Sequence, residues 1–124
     1  MPYSQPDFRA EVRFLTPEEG GHTGEWGTVR QGYRCDVHWD ADPSDTIWMI
    51  WPRFLDHSRS QIPDGAEVPQ KCEADFFIMS ANARPLLDQQ GWLHDDATFH
   101  LTEGPHRVAA CRVIRILRSD YAET

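Results

Sequence analysis

The chain has 124 residues, of which 40% are hydrophobic and 26% are charged, and its formal net charge is −8. This length and balance predict one globular domain over residues 1–124, large enough to bury a core without metal or disulfide help. The acidic balance argues against a general phosphate-binding surface, because sequence-independent nucleic-acid affinity comes from Lys and Arg that displace counterions. It favours a protein or small-molecule partner, and an acidic surface suits a basic protein.

The sequence predicts neither a secretory signal at its N-terminus nor a membrane-spanning segment. The first ten residues lack the apolar stretch of a secretory signal. No window approaches the roughly 18 consecutive apolar residues that a membrane-spanning helix needs. We therefore expect a cytoplasmic protein with no membrane partner.

The first half of the chain alternates between apolar and polar residues in two places. Residues 8–15 have the period of a half-buried strand, and turn residues follow at 16–21. Residues 33–39 alternate in the same way and predict a second strand before a loop. The short apolar run 46–51 predicts a strand with apolar neighbours on both faces, which Pro52 ends.

The second half continues this pattern of short strands and turns. Residues 53–68 are polar and predict a loop, residues 70–79 alternate as a strand, and the segment 80–91 holds at most a short helical turn because it contains Pro85. Strands are predicted again at 97–101 and 107–117. About six short strands and no strong amphipathic helix predict an all-β, antiparallel barrel or sandwich. Closure into a barrel would remove exposed strand edges.

Several blocks of the sequence are similar, in the same order, to the third domain of translation elongation factor Tu. They are the Glu-Glu-Gly-Gly turn at 18–21, the pair His22-Thr23, the Gly-Tyr-Arg strand start at 32–34, and the Glu103-Gly104 turn into the last strand. The resemblance covers roughly residues 8–118. It implies a six-stranded antiparallel β-barrel, in agreement with the strand count.

The chain also departs from that family in ways that bear on function. It has no G-x-x-x-x-G-K-[ST] loop, so we expect neither GTP hydrolysis nor a nucleotide cofactor. The resemblance implies tRNA contacts at His22, Thr23, Glu103 and Gly104. The arginines that precede these pairs in the family are absent here, and such arginines would bind phosphate through charge-assisted hydrogen bonds. Together with the net charge, their loss disfavours tRNA binding.

Tryptophans indicate a different kind of surface. Trp26 lies in a segment longer than its family counterpart, and Trp48 and Trp51 flank a stretch without an obvious counterpart. Exposed tryptophans dominate protein interfaces, so these three are candidate partner-binding residues. The alternative is an enlarged core that absorbs them. Trp39 falls on the inward face of its strand and is predicted to be buried.

Catalytic and metal-binding patterns are weak. Asp36, His38 and Asp40 share one strand face, but such a face is usually the solvated side of a sheet, and we predict no metal or other cofactor. Cys35, Cys72 and Cys111 form no CxxC pair and lie in apolar contexts typical of buried thiols. The six histidines form no H-E-x-x-H motif.

The sequence thus favours a non-catalytic, cytoplasmic β-barrel that acts by protein–protein binding, as a mimic, inhibitor or neutraliser of a partner, and a basic protein is one candidate. The alternative is a tRNA- or ribosome-associated accessory protein, with His22, Thr23 and Arg107 as contact residues. A small hydrolase is a third class, and it would require a concave pocket with a titratable pair.

Overall fold

Antiparallel strands dominate the computed structural model, which describes residues 5–20, 29–44, 46–80, 82–104 and 106–117. Within these ranges the elements are β1 (Phe8–Phe14), β2 (Asp36–Trp39), β3 (Ile50–Leu55), β4 (Lys71–Ile78), α1 (Ala83–Gln90), β5 (Thr98–Glu103) and β6 (His106–Ile116). A short 3-10 helix, Pro17–Glu19, follows β1, and α1 connects β4 to β5. The six strands form one sheet in the order β2-β5-β6-β1-β4-β3.

The sheet curls strongly around an aromatic core. Register shifts at Arg9/Ala10 in the β1–β6 pair and at Leu101/Thr102 in the β5–β6 pair are bulge-type irregularities, which increase strand twist. Inward-facing rings fill the concave side, with centroids 5.0 Å apart for Phe8 and Phe76 and 5.3 Å apart for Phe76 and Phe99. Trp39 packs 5.0 Å from Phe99 and is fully buried, as its position in the alternating pattern predicts.

The predicted closed barrel is instead a curled half-barrel, and its open side lies between the two edge strands β2 and β3. We call the line along which residues 31–37 run antiparallel to residues 48–54 the seam. Val37 and Trp48 exchange both backbone hydrogen bonds there, at 2.8 and 2.9 Å. Among the described residues, this is the one isolated bridge that joins the two sides of the seam.

Pro52 explains why the seam does not continue as a regular ladder. The Met79 N–H donates to the Met49 carbonyl at 3.1 Å, so the backbone groups of the odd-numbered residues in this segment point to β4. The backbone nitrogen of Pro52 therefore points to the seam. Proline has no N–H to donate, and prolines within sheets are accordingly confined to edges. The prediction that Pro52 ends the strand was wrong, because β3 runs through it to Leu55 and pairs with β4 on its other side.

Gln31 closes the other end of the seam with its side chain. Its Oε1 accepts a hydrogen bond from the Phe54 N–H, and its Nε2 donates to the carbonyls of Phe54 and Ile62, all at 2.9 Å. Gln31 is 5% exposed. The carboxamide therefore takes the place of a neighbouring strand for the Phe54 N–H, while the Phe54 carbonyl also accepts from the Ile62 N–H at 3.0 Å.

Helix α1 is longer than the single turn predicted. Pro85 lies in its first turn, where a missing N–H breaks no intrahelical bond, so the proline is compatible with eight helical residues. The helix ends at Gly91, whose φ of 72° is left-handed and whose N–H donates to the Leu87 carbonyl at 3.0 Å. Leu87 is fully buried in the core. No helix in the described ranges has the length and apolar character to cross a membrane.

Replacing Gln31 by leucine should destabilise the fold. The change removes three buried hydrogen bonds to the backbone at Phe54 and Ile62, and we expect a loss of about 2–4 kcal/mol in the free energy of unfolding. Urea denaturation measures the change, with Gln89→Leu on the exposed side of α1 as the matched control. Equal unfolding free energies for the two variants would contradict the role of the clamp.

Candidate interaction surface

The structure brings some of the predicted site residues together and leaves others outside the description. His22, Thr23 and Trp26 lie outside the described residues. Trp48 and Trp51 lie along the seam, and both are half-buried. The remaining three occupy the β5–β6 connection, where Glu103, Gly104 and Arg107 are all exposed.

The tryptophans of the seam point in opposite directions because the backbone is extended. Trp48 packs against the core and meets Trp92 edge to face, with the ring centroids 6.3 Å apart. Trp51 faces outward in the same row as Ile47 and Met49, which are 42% and 55% exposed. We call Ile47, Met49 and Trp51 the outward row. The sequence predicts apolar neighbours on both faces of the segment 46–51, but one of these faces is exposed to solvent.

Arg34 lies across the seam from this row. Counting back three residues from Val37 and forward three from Trp48 places Arg34 opposite Trp51, and its guanidinium carbon lies 4.3 Å from the Trp51 ring centroid. Such a cation–π contact is worth about 0.5–1 kcal/mol at an exposed site. The contact places a cationic side chain on the aromatic end of the outward row.

Tyr33 links the seam to the turn that precedes the closing strand. Its hydroxyl hydrogen-bonds a carboxylate oxygen of Glu103, and burial, followed by this hydrogen bond, raises the pKa of Tyr33. Tyr33 and Arg34 are consecutive, so one dipeptide contacts both groups of predicted residues. The sequence analysis predicts neither residue as a binding residue, although both belong to the Gly-Tyr-Arg block at 32–34.

Thr102 is buried, whereas the next residues in the β5–β6 turn are exposed. Gly104 has a φ of 58°, a left-handed conformation that glycine adopts without a Cβ clash. The register shift beside Thr102 leaves this residue 3% exposed, whereas Glu103 points to solvent. Thr102 therefore does not lie on the outer surface where a phosphate-binding arginine would be needed.

Most arginines in the described ranges are engaged with carboxylates of the same chain. Arg9 contacts Asp75 at 2.7 Å, and this hydrogen bond is the main cause that raises the pKa of Arg9. Arg112 bridges Glu11 at 2.9 Å and Asp96 at 2.5 Å. The set in ion pairs comprises Arg9, Arg13, Arg53, Arg59, Arg84 and Arg112. A phosphate backbone would have to compete with these internal carboxylates for the same guanidinium groups.

Burial disfavours the thiolate form of all three cysteines. Burial raises the pKa of Cys35 and Cys111 well above the ordinary thiol value, and it raises that of Cys72 to about 12. Nucleophilic cysteines need the opposite shift, since the thiolate is the reactive form. In the described part of the chain, no group of three or more His, Cys, Asp or Glu side chains is arranged to hold a metal ion.

No family model matches the sequence, and the curated proteins contain no match to it.

Thiol reactivity tests this description of the cysteines. We expect Ellman's reagent at pH 8 to react at least tenfold more slowly with the native protein than with the protein in urea, where all three thiols react.

The pH dependence of the free energy of unfolding is a second test. Because the thiol pKa values are raised in the folded protein, the buried thiols contribute their full stability below the ordinary thiol pKa of 9.0. This contribution falls as the pH rises toward about 12, the pKa of Cys72. A rapidly reacting native thiol, or stability unchanged across that range, would contradict the assignment.

Proposed function

We propose that this chain is a non-catalytic, cytoplasmic protein-binding domain that resembles the third domain of elongation factor Tu and contacts its partner through the outward row. The observation that carries the proposal is the exposure of Ile47 and Met49 beside Trp51 on an edge of the sheet. Large apolar side chains that cluster on the surface commonly mark interaction sites. Aromatic residues and methionine are also enriched in protein interfaces.

The support for the family resemblance is its agreement with the coarse fold. Six antiparallel strands in one curled sheet are compatible with the barrel that the resemblance implies. The Gly-Tyr-Arg block and the Glu103-Gly104 turn, which both contribute to the resemblance, are joined by the Tyr33–Glu103 hydrogen bond. This contact between the two blocks suits a shared structural role for them.

Charge favours a protein partner over tRNA. The net charge of −8 opposes a polyanion, and the six paired arginines are already close to internal carboxylates. A basic protein would be attracted to the acidic surface, and its apolar side chains would cover the outward row. The partner we propose is therefore a protein with a basic surface around an apolar patch.

Capture by the immobilised full chain, followed by titration of the purified candidate, tests the proposal. We expect Met49→Glu and Trp51→Ala each to weaken binding of the candidate protein at least tenfold, because each removes apolar area from the row. Leu86→Glu is the matched control, since Leu86 is 48% exposed but belongs to α1.

The same preparation should be titrated with total tRNA at low and physiological salt. Stoichiometric tRNA binding with no protein partner would contradict the proposal, as would a protein partner bound equally well by the wild type and both row variants. Any residual tRNA binding should weaken steeply with salt if it depends on phosphate contacts.

A further inference from the structure

Two histidines meet on the outer surface of the sheet, away from the outward row. His38 on β2 and His100 on β5 are direct cross-strand partners. Both point away from the core, because their neighbours Val37, Trp39 and Phe99 are fully buried. The Asp40 N–H donates to the Thr98 carbonyl at 3.2 Å, so the pair two residues away is of the hydrogen-bonded type, with a Cα–Cα distance of about 5.5 Å.

Hydrogen bonds orient both imidazole rings. His38 Nε2 lies 2.7 Å from the Ser44 carbonyl oxygen, which can only accept, so Nε2 carries the proton and Nδ1 keeps its lone pair. His100 Nδ1 lies 2.7 Å from Asp40 Oδ1. That carboxylate fixes the proton on Nδ1 and leaves the lone pair on Nε2.

This arrangement matches the way proteins prepare histidines for metal binding. A metal-ligating imidazole usually donates its other ring N–H to a carboxylate or a backbone carbonyl, which sets the tautomer and increases ligand basicity. His100 has the first kind of acceptor, and His38 has the second. Ala110, the cross-strand neighbour of His100 on β6, has only a methyl side chain. The His100 side chain keeps 19% of its surface exposed.

We propose that His38 Nδ1 and His100 Nε2 together bind one divalent transition-metal ion, such as Zn²⁺, for which imidazole is a suitable ligand. Asp40 is a positioning residue that orients His100. Two imidazoles supply half of a tetrahedral shell, and water or a side chain from a bound partner supplies the rest. The sequence pattern Asp36, His38, Asp40 pointed to one strand, whereas the pair comes from two.

Calorimetric titration of the full chain with zinc chloride tests the site. We expect one Zn²⁺ per chain, with at least tenfold weaker binding in His38→Gln and in His100→Gln. His57→Gln is the matched control, because His57 is an exposed histidine outside the pair, and its binding should equal the wild type.

Asp40→Asn tests positioning separately. A neutral amide is a weaker acceptor, so we expect about tenfold weaker Zn²⁺ binding, at the lower end of the effect typical of such orienting residues. The thermal unfolding temperature measured with a chelator should not change, which a merely structural role of Asp40 would not predict.

Long-range ¹H–¹⁵N spectra of the wild type decide the matter if a histidine variant fails to fold. On Zn²⁺ addition the ¹⁵N signals of His38 Nδ1 and His100 Nε2 should shift, while those of His57 and His94 should stay in place. The proposal is overturned by no Zn²⁺ binding, by equal binding in the paired-histidine variants, or by shifts confined to other histidines. Because this site does not involve the outward row, its failure would leave the proposed protein binding intact, and the reverse also holds.

Discussion

The carboxamide of Gln31 is the interaction on which the shape of the domain depends. A sheet of six strands leaves two edges, and here those edges belong to β2 and β3. Pro52 cannot donate to a regular ladder between them, and in the described part of the chain one backbone pair, Val37 and Trp48, joins one end of the seam. At the other end Gln31 satisfies the buried backbone of Phe54. At that end a side chain takes the place of a backbone ladder, although the half-barrel stays open between its two edge strands.

The seam also determines what the surface presents. With its two sides held at both ends, Arg34 reaches the ring of Trp51 and Tyr33 reaches Glu103. Ile47 and Met49 remain in solvent because residues of the same parity in an extended segment share a face, and this face is turned away from the core. Edge strands normally carry charges or proline that discourage association with other chains. Here Pro52 supplies that protection, while the apolar side chains next to it remain available for a partner.

The many acidic residues of the chain give it a negative net charge and also form ion pairs with its arginines. Carboxylates from the strands, the helices and the loops hold six arginines in ion pairs. The exposed pairs among them contribute little to stability, whereas the Arg84 side chain is buried. Their functional effect is on the surface potential, since they reduce the number of cations that a polyanion could use. The histidine pair on β2 and β5 is separate from both features, so the domain has two proposed sites with different chemistry.

The sequence by itself determined β1, β4 and β6, and it placed Trp39 in the core, because period-two alternation is a direct record of which side chains face inward. It was wrong at Pro52 and too cautious at Pro85, since the effect of a proline depends on whether its missing N–H would have had a partner in the fold. Only the tertiary structure decided that Gln31 caps Phe54, that Arg34 covers Trp51 and that His38 faces His100. These contacts join distant segments whose register is set by bulges, packing and the geometry of the seam, and no local pattern encodes that register.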